Sequence, residues 1–319
     1  MSIGIGFGVD WGSINLSGGG GGTADERFII TVKTDNAGTS ASNQFTIPTS
    51  TTGITQAFLY DIETSDGQTI TGVTGNTTIT FPSAGTYDIK ISGSFPYMFF
   101  SNGGDKFKLL DIKIFGIYAL GSTSQQNAFY GCSNMDISAT DSGSFGSVTD
   151  FRGAFNSCTS LTSLPLIDTS QAILFGTASF NGAFQNCNSL ISLPLLDTSN
   201  VTSFDWAFQN CMSLISLPAF DFSSALDCNN ILRNCLSLIN VPVNLFDNCI
   251  ATDYTNSFFV TNLSQTSIDN ILVSIDTAGQ SNGTFTQSGG QAPSATGETA
   301  IDRLVGKGWT ITVTGGYTP

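Results

Sequence analysis

Three aspartates, Asp168, Asp197 and Asp221, recur at one register of a repeated segment, each followed by Thr-Ser or Phe-Ser. Two carboxylates on one face could serve as the acid and base of glycoside hydrolysis, one protonated and one ionised on either side of the bond. Five cysteines, Cys132, Cys158, Cys187, Cys211 and Cys235, return at spacings of 26, 29, 24 and 24. Thiols in such numbers invite redox, metal-binding or disulfide roles.

The rest of the chain withholds the partners for that chemistry. Histidine is absent. That removes Ser-His-Asp and Cys-His activation, His-ligated zinc and the usual base near neutral pH. There is no C-x-x-C pair and no EF-hand pattern. The stretches "GIGFG" and "GGGGG" lack the strand–turn–helix context of a dinucleotide site and the lysine of a P-loop. No cofactor or metal is expected, and no catalytic residue.

An active site is one local arrangement, whereas these residues come in several copies. The aspartates are therefore expected to form turns by accepting backbone N–H bonds. An acidic ladder for carbohydrate or Ca2+, and a catalytic carboxylate pair, stand as the alternatives. The five cysteines are expected as buried core thiols, which pack as small hydrophobes. Stacked repeats lie about 5 Å apart, within disulfide reach, so bridges stay open, and Cys228 and Cys249 fall outside the ladder.

The repeat itself positions these residues. Aligned, the units read "AFYGCSNM" (128–135), "AFNSCTSLTSLPLIDTS" (154–170), "AFQNCNSLISLPLLDTS" (183–199), "AFQNCMSLISLPAFDFS" (207–223) and "ILRNCLSLINVPVNLFD" (231–247). One unit cannot bury its own apolar face, so neighbours must stack, and the atypical first and last units suit the ends. Pro165, Pro194, Pro218 and Pro242 each close a strand-like segment, because proline lacks a ladder donor. Phe155, Phe184 and Phe208 are expected to stack as an aromatic spine.

The motif AFxxCxSLxSLPxxDTS resembles that of BspA-like leucine-rich-repeat surface proteins, and the resemblance covers residues 127–250. It implies a leucine-rich-repeat solenoid. Before it, "RFIITVKT", "NQFTIPT", "AFLYDIE", "TTITFP", "TYDIKISG", "YMFF" and "LLDIKIFG" read as short alternating strands between turns such as "SDG" and "SAG". That pattern predicts an antiparallel, immunoglobulin-like β-sandwich. "DIETSDG" followed by "TFPSAGTYDIKISG" resembles the polycystin-repeat (PKD) sandwich, a spacer or binding module without catalysis. After the repeats, Ile268, Ile271, Leu272 and Ile275 share one helical stripe that Gly279 can end. "ETAIDRLV" predicts a second helix, leading to the strand "TITVTG".

The predicted fold is thus mainly β. Residues 1–23 form a Gly-rich N-terminal segment, 24–120 a PKD-like sandwich, 121–252 the solenoid and 253–319 a small α/β C-terminal cap. Within the first segment, Ile3, Ile5, Phe7 and Trp11 are candidate anchor residues.

Only 11% of residues are charged, and the net charge is -14, from 24 acids and 10 bases. No lysine occurs between Ile114 and Gly306. Such a chain repels phosphate backbones, so no nucleic-acid partner is expected. No run of 18 apolar residues exists, which argues against membrane insertion. The N-terminus has no basic n-region, and no signal peptide is expected.

The order of sandwich, cysteine-bearing repeats and tail looks like that of surface proteins of bacteriophage virions. That resemblance implies a non-enzymatic virion surface protein, a capsid decoration or a tail or fibre component, made in the host cytoplasm. Its partners would be other virion proteins, through the N-terminal segment, and a host surface glycan or protein. A homo-oligomer such as a trimer stays open. A bacterial cell-surface adhesin of the BspA-like kind is the alternative, and a polysaccharide depolymerase the next. Candidate contacts are Trp206, Tyr97 and Phe99, aromatics that stand off the repeat register, with the stretched loops at 140–151 and 171–180.

Overall fold

The computed structural model describes residues 25–54, 57–176 and 182–319. Across these residues the chain is mainly β, with two helices and several sheets, none of them closed.

Strands β1 (Phe28–Lys33), β3 (Leu59–Thr64), β4 (Thr69–Val73), β6 (Thr86–Ser94), β7 (Leu109–Ile114) and β8 (Asp136–Ile137) make a six-stranded sheet in the order β4-β3-β6-β1-β7-β8. A two-stranded sheet pairs β2 (Gln44–Ile47) with β5 (Thr77–Thr80). Period-2 alternation sets which residues turn inward. In β3, Tyr60, Ile62 and Thr64 are buried while Leu59, Asp61 and Glu63 are exposed. Phe28 pairs with Ile91 and Ile30 with Ile89 across β1 and β6, and all four are buried with Phe45, Ile47 and Ile79 from the smaller sheet.

One polar knot interrupts this core. Lys108 and Asp105 are both buried, 3.8 Å apart. The Lys108 ammonium donates to the carbonyls of Ser40, Ala41 and Gln44 and to Ser40 Oγ. Asp105 accepts from the backbone of Thr39, Ser40 and Thr46 and from Ser40 Oγ. Burial works to raise the Asp105 pKa, but the hydrogen bonds from Ser40 and Thr46 outweigh it and leave the carboxyl below its ordinary range.

Two sequence expectations change here. Strand β4 was not anticipated, because "TITGV" sits beside turn residues. The segment "YMFF", expected as a strand, makes only an isolated bridge, Met98 to Thr49. Its continuation belongs to the repeats instead. Phe100 and Asn102 donate their N–H groups to the carbonyls of Ala128 and Tyr130, both at 2.9 Å.

From there, successive segments lie side by side in parallel. Bridges run Ser124 to Asp150, Asp150 to Leu174, Leu174 to Ser203 and Ser203 to Asp227. A second line of backbone bonds links Gly131, Ser157, Asn186 and Asn210 to the carbonyls of Asn156, Gln185, Gln209 and Arg233. Strand β8 pairs parallel to β7, so the first repeat extends the edge of the large sheet. The rings of Phe129, Phe155, Phe184 and Phe208 form a column with centroids 5.5, 5.4 and 5.6 Å apart and interplanar angles of 15, 7 and 8°.

Two columns of left-handed residues turn each repeat. One holds Gly131, Ser157, Asn186, Asn210 and Asn234, and the other Asn127, Gly153, Trp206, Asn230 and Asn256, all at positive φ. Glycine and asparagine enter this region at least cost.

At the far end, β9 (Asp253–Phe258), β10 (Thr284–Gln287) and β11 (Thr310–Thr312) form a parallel sheet in the order β11-β10-β9. Helix α1 (Gln265–Ala278) is capped by Ser264 and ends at the left-handed Gly279, and its stripe Ile268, Ile271, Leu272 and Ile275 is buried. Helix α2 (Ala295–Gly306) packs against it. Ser267 and Ser274 of α1 accept hydrogen bonds from the N–H groups of Val241 and Phe246, donors that the last repeat has no further repeat to satisfy.

Candidate interaction surface

The repeated cysteines are spent on architecture. All seven thiols are free and buried. Cys158, Cys187, Cys211 and Cys235 each point at a phenylalanine carbonyl of the preceding repeat, 3.1 to 3.2 Å away. Burial pushes the Cys132, Cys158, Cys187 and Cys211 thiols far up, and Cys235 to about 12. A thiol held protonated is neither a nucleophile nor a metal ligand.

The repeated aspartates turn the chain. Asp168, Asp197 and Asp221 are exposed, and the Oδ1 of each accepts the N–H of the residue two further on: Ser170 at 3.0 Å, Ser199 at 3.0 Å and Ser223 at 2.8 Å. The intervening Thr169 and Thr198 are buried and donate to the carbonyls of Asp197 and Asp221, both at 2.8 Å. Ser199 holds the Asp197 carboxyl below its ordinary range, opposite to what a general acid needs.

Three expected surface contacts are placed differently. Tyr97 is 0% exposed, its ring edge-on to Phe99 at 6.3 Å. It cannot meet a partner, because the segment that carries it packs under the first repeat. Phe99 is partly buried against the same core. Trp206 is half-buried and does stand in a repeat register, at φ 61° in the column otherwise filled by Asn127, Gly153, Asn230 and Asn256. A bulky residue there is strained. The candidate anchors Ile3, Ile5, Phe7 and Trp11 lie outside the described residues, as do positions 177–180 of the loop at 171–180.

What the repeats present outward is a different set of side chains. Ile191, Ile215 and Ile239 are 48, 46 and 40% exposed. Their backbones join them in a line, with Ile215 N–H donating to Ile191 O at 3.3 Å and Ile239 N–H to Ile215 O at 3.0 Å. Met212 and Leu236 stand exposed beside it, and Leu166, Leu195 and Val243 form a second exposed line past the prolines. The sequence did carry this signal. In "SLISLP" the inward residues are the leucines, and the intervening isoleucine must face out.

Two concavities share Ser142. One, of about 320 Å³, is lined by Asp25, Glu26, Gly116 and residues 141–144. The other, of about 330 Å³, is lined by Leu166, Asp168, Thr169, Leu195 and Asp197. Residues 141–144 of the loop at 140–151 line the first, and Ser142 also lines the second.

One carboxyl escaped sequence reasoning altogether. Asp205 is 3% exposed, and its Oδ1 has no hydrogen-bond partner. Burial and the neighbouring charges of Asp227 and Asp253 push its pKa up to about 7, against the opposing hydrogen bond of Asn230. Among the described residues no three His, Cys, Asp or Glu side chains come together to hold a metal ion, and no helix is long and apolar enough to cross a membrane. Comparisons with protein families, with curated proteins and with solved structures find no match.

Proposed function

We propose that the chain is a non-enzymatic surface protein of a bacteriophage virion, whose repeats form a leucine-rich solenoid presented for host attachment or particle decoration. On this reading residues 24–120 form a PKD-like sandwich that projects the solenoid, residues 253–319 cap its open end, and residues 1–23 hold the chain to other virion proteins. The observation that carries the reading is the division of labour within each repeat. The residues able to do chemistry, the cysteines and aspartates, are used in thiol–carbonyl bonds and turns. Beside the exposed turn aspartates, each repeat also turns apolar side chains outward, Ile191, Ile215 and Ile239 among them. Contiguous exposed apolar residues rimmed by polar ones mark interaction sites.

The parallel bridges at intervals of 24 to 29 residues and the phenylalanine column support the solenoid. The inward alternation of β1, β3 and β6 supports the sandwich. The partner is a host surface glycan or protein that meets the line of Ile191, Ile215 and Ile239. The test is competition. Excess purified chain should slow adsorption of the particles to host cells, and a variant carrying Ile191→Ser, Ile215→Ser and Ile239→Ser should compete at least tenfold less well while melting normally. Equal competition by both proteins would remove the isoleucine line from the account.

A further inference from the structure

A third concavity, of about 390 Å³, is lined by Thr149, Gln171, Ile173, Asn200, Thr202 and Ser224. The two that share Ser142 carry carboxylates, Asp25, Glu26 and Asp141 in one and Asp168 and Asp197 in the other. This one is lined by no charged side chain. Its volume falls in the range of small-ligand sites, roughly 300–1,000 Å³.

Stacking of the repeats builds it. The N–H groups of Ile173, Thr202 and Leu226 donate to the carbonyls of Thr149, Ile173 and Thr202 at 2.8, 2.9 and 2.8 Å, so these residues stand at one register. Two positions earlier in their repeats come Gln171, Asn200 and Ser224. The residues between the two columns, Ala172, Val201 and Ala225, are all 0% exposed, which leaves the columns on either side of them to form the surface.

Bonds between repeats fix what that surface offers. Thr149, Thr202 and Ser224 each give their one hydroxyl proton to a carbonyl of the preceding repeat: Thr123 O at 3.2 Å, Ile173 O at 3.3 Å and Ser199 O at 2.6 Å. The hydroxyl protons are thus spent inside the stack, and the three oxygens keep lone pairs for a ligand. The Asn200 amide is held by a bond to Ser170 O at 2.8 Å. Gln171 is exposed and adds both a donor and an acceptor. Ile173, 43% exposed, supplies an apolar patch among these polar groups.

A ligand matched to this set brings many donors, an apolar face and no charge. Anionic sugars would add acceptors and meet repulsion from a chain of net charge -14. An ammonium group would find no carboxylate among the lining residues. We propose that the concavity binds a neutral saccharide, whose ring hydroxyls donate to the threonine and serine oxygens while a C–H face lies on Ile173. The site shares no residue with the isoleucine line and does not rest on the virion reading.

The experiment titrates the full chain with oligosaccharides and follows binding by saturation-transfer NMR of the sugar. The probes are neutral oligomers of glucose, galactose, mannose and N-acetylglucosamine, with oligogalacturonate and chitosan oligomers as charged controls. At least one neutral oligomer should bind saturably, and neither charged control should. Thr202→Val removes one oxygen at nearly constant shape, and Gln171→Ala removes the exposed amide. Each should weaken binding about fivefold, and Thr202→Ser should restore it. The chain carrying Ile191→Ser, Ile215→Ser and Ile239→Ser should bind the sugar unchanged, whatever its effect on adsorption. If Thr202→Val does not fold, Gln171→Ala, altered at an exposed position, still decides. No saturable binding of any neutral oligomer, equal binding of a charged control, or full-strength binding by Gln171→Ala would each overturn the proposal.

Discussion

Asn210 donates its side-chain amide to Oδ1 of Asn186 at 2.7 Å, and both residues hold the left-handed conformation, with φ of 59° and 61°. Asn234 repeats the contact to Asn210 at 2.8 Å. Inside this line, Gln185 donates to Gln209 at 2.6 Å and Asn156 to Gln185 at 2.8 Å. The residues that bend the backbone therefore also bind one repeat to the next, which explains asparagine there where glycine alone would satisfy the turn.

Substitution at Asn210 separates those two roles. Asn210→Gly should keep the turn and lose the amide bonds, costing about 1 kcal/mol. Asn210→Leu should lose both, costing about 2–3 kcal/mol, because a bulky side chain at positive φ adds strain. Urea unfolding of the two variants measures the difference.

The Asp105–Lys108 knot should be a costly place to cut. Asp105→Ala leaves a buried ammonium without its counter-charge and frees the N–H groups of Thr39, Ser40 and Thr46. A loss of about 3–5 kcal/mol is expected, seen as a large drop in the urea midpoint. A loss under about 1 kcal/mol would mean that the pair is not buried as described.

Asp205 sets a pH dependence of unusual sign. Its pKa is about 7 folded against an ordinary 3.8. Below pH 4 both states hold the proton. Between about pH 4 and 7 the unfolded chain releases it first, so this group's effect is a stability that falls as pH rises. Asp205→Asn should therefore melt higher than the unmodified chain at pH 8, by the equivalent of about 1–2 kcal/mol, and show little difference at pH 4. Melting curves at the two pH values decide, and a larger difference at pH 4 would contradict the assignment.

Trp206 stands where its column otherwise carries asparagine or glycine. Strain that survives at one repeat only is expected where the side chain has a task. Trp206→Asn should melt within a few degrees of the unmodified chain, since relief of strain offsets lost packing, yet compete less well for adsorption. Unchanged competition would return Trp206 to a purely structural role.

Much of this architecture is legible in the sequence, for a definite reason. Repetition aligns Cys158, Cys187 and Cys211 by inspection, and whatever recurs at fixed spacing in a stack must touch its own copies. The Asp-Thr-Ser turns and the Phe155–Phe184–Phe208 column follow directly. The helix Gln265–Ala278 is equally readable, from its stripe and Gly279. What escaped depends on contacts without periodicity. Tyr97 looks like a free aromatic until Phe100 and Asn102 are seen to pair with Ala128 and Tyr130. Asp205 differs from its neighbours only through burial beside Asp227 and Asp253. Strands β9 and β10 are short and polar, and they form only because a parallel partner lies alongside.

The central claim is the place of the chain on a particle. Gold-labelled antibodies against residues 121–252 should decorate the exterior of intact particles released from cells that carry the gene, and particles assembled with a chain lacking residues 1–23 should not be labelled. Antibody bound to the surface of uninfected cells, with bare particles, would contradict the account and favour a cell-surface adhesin.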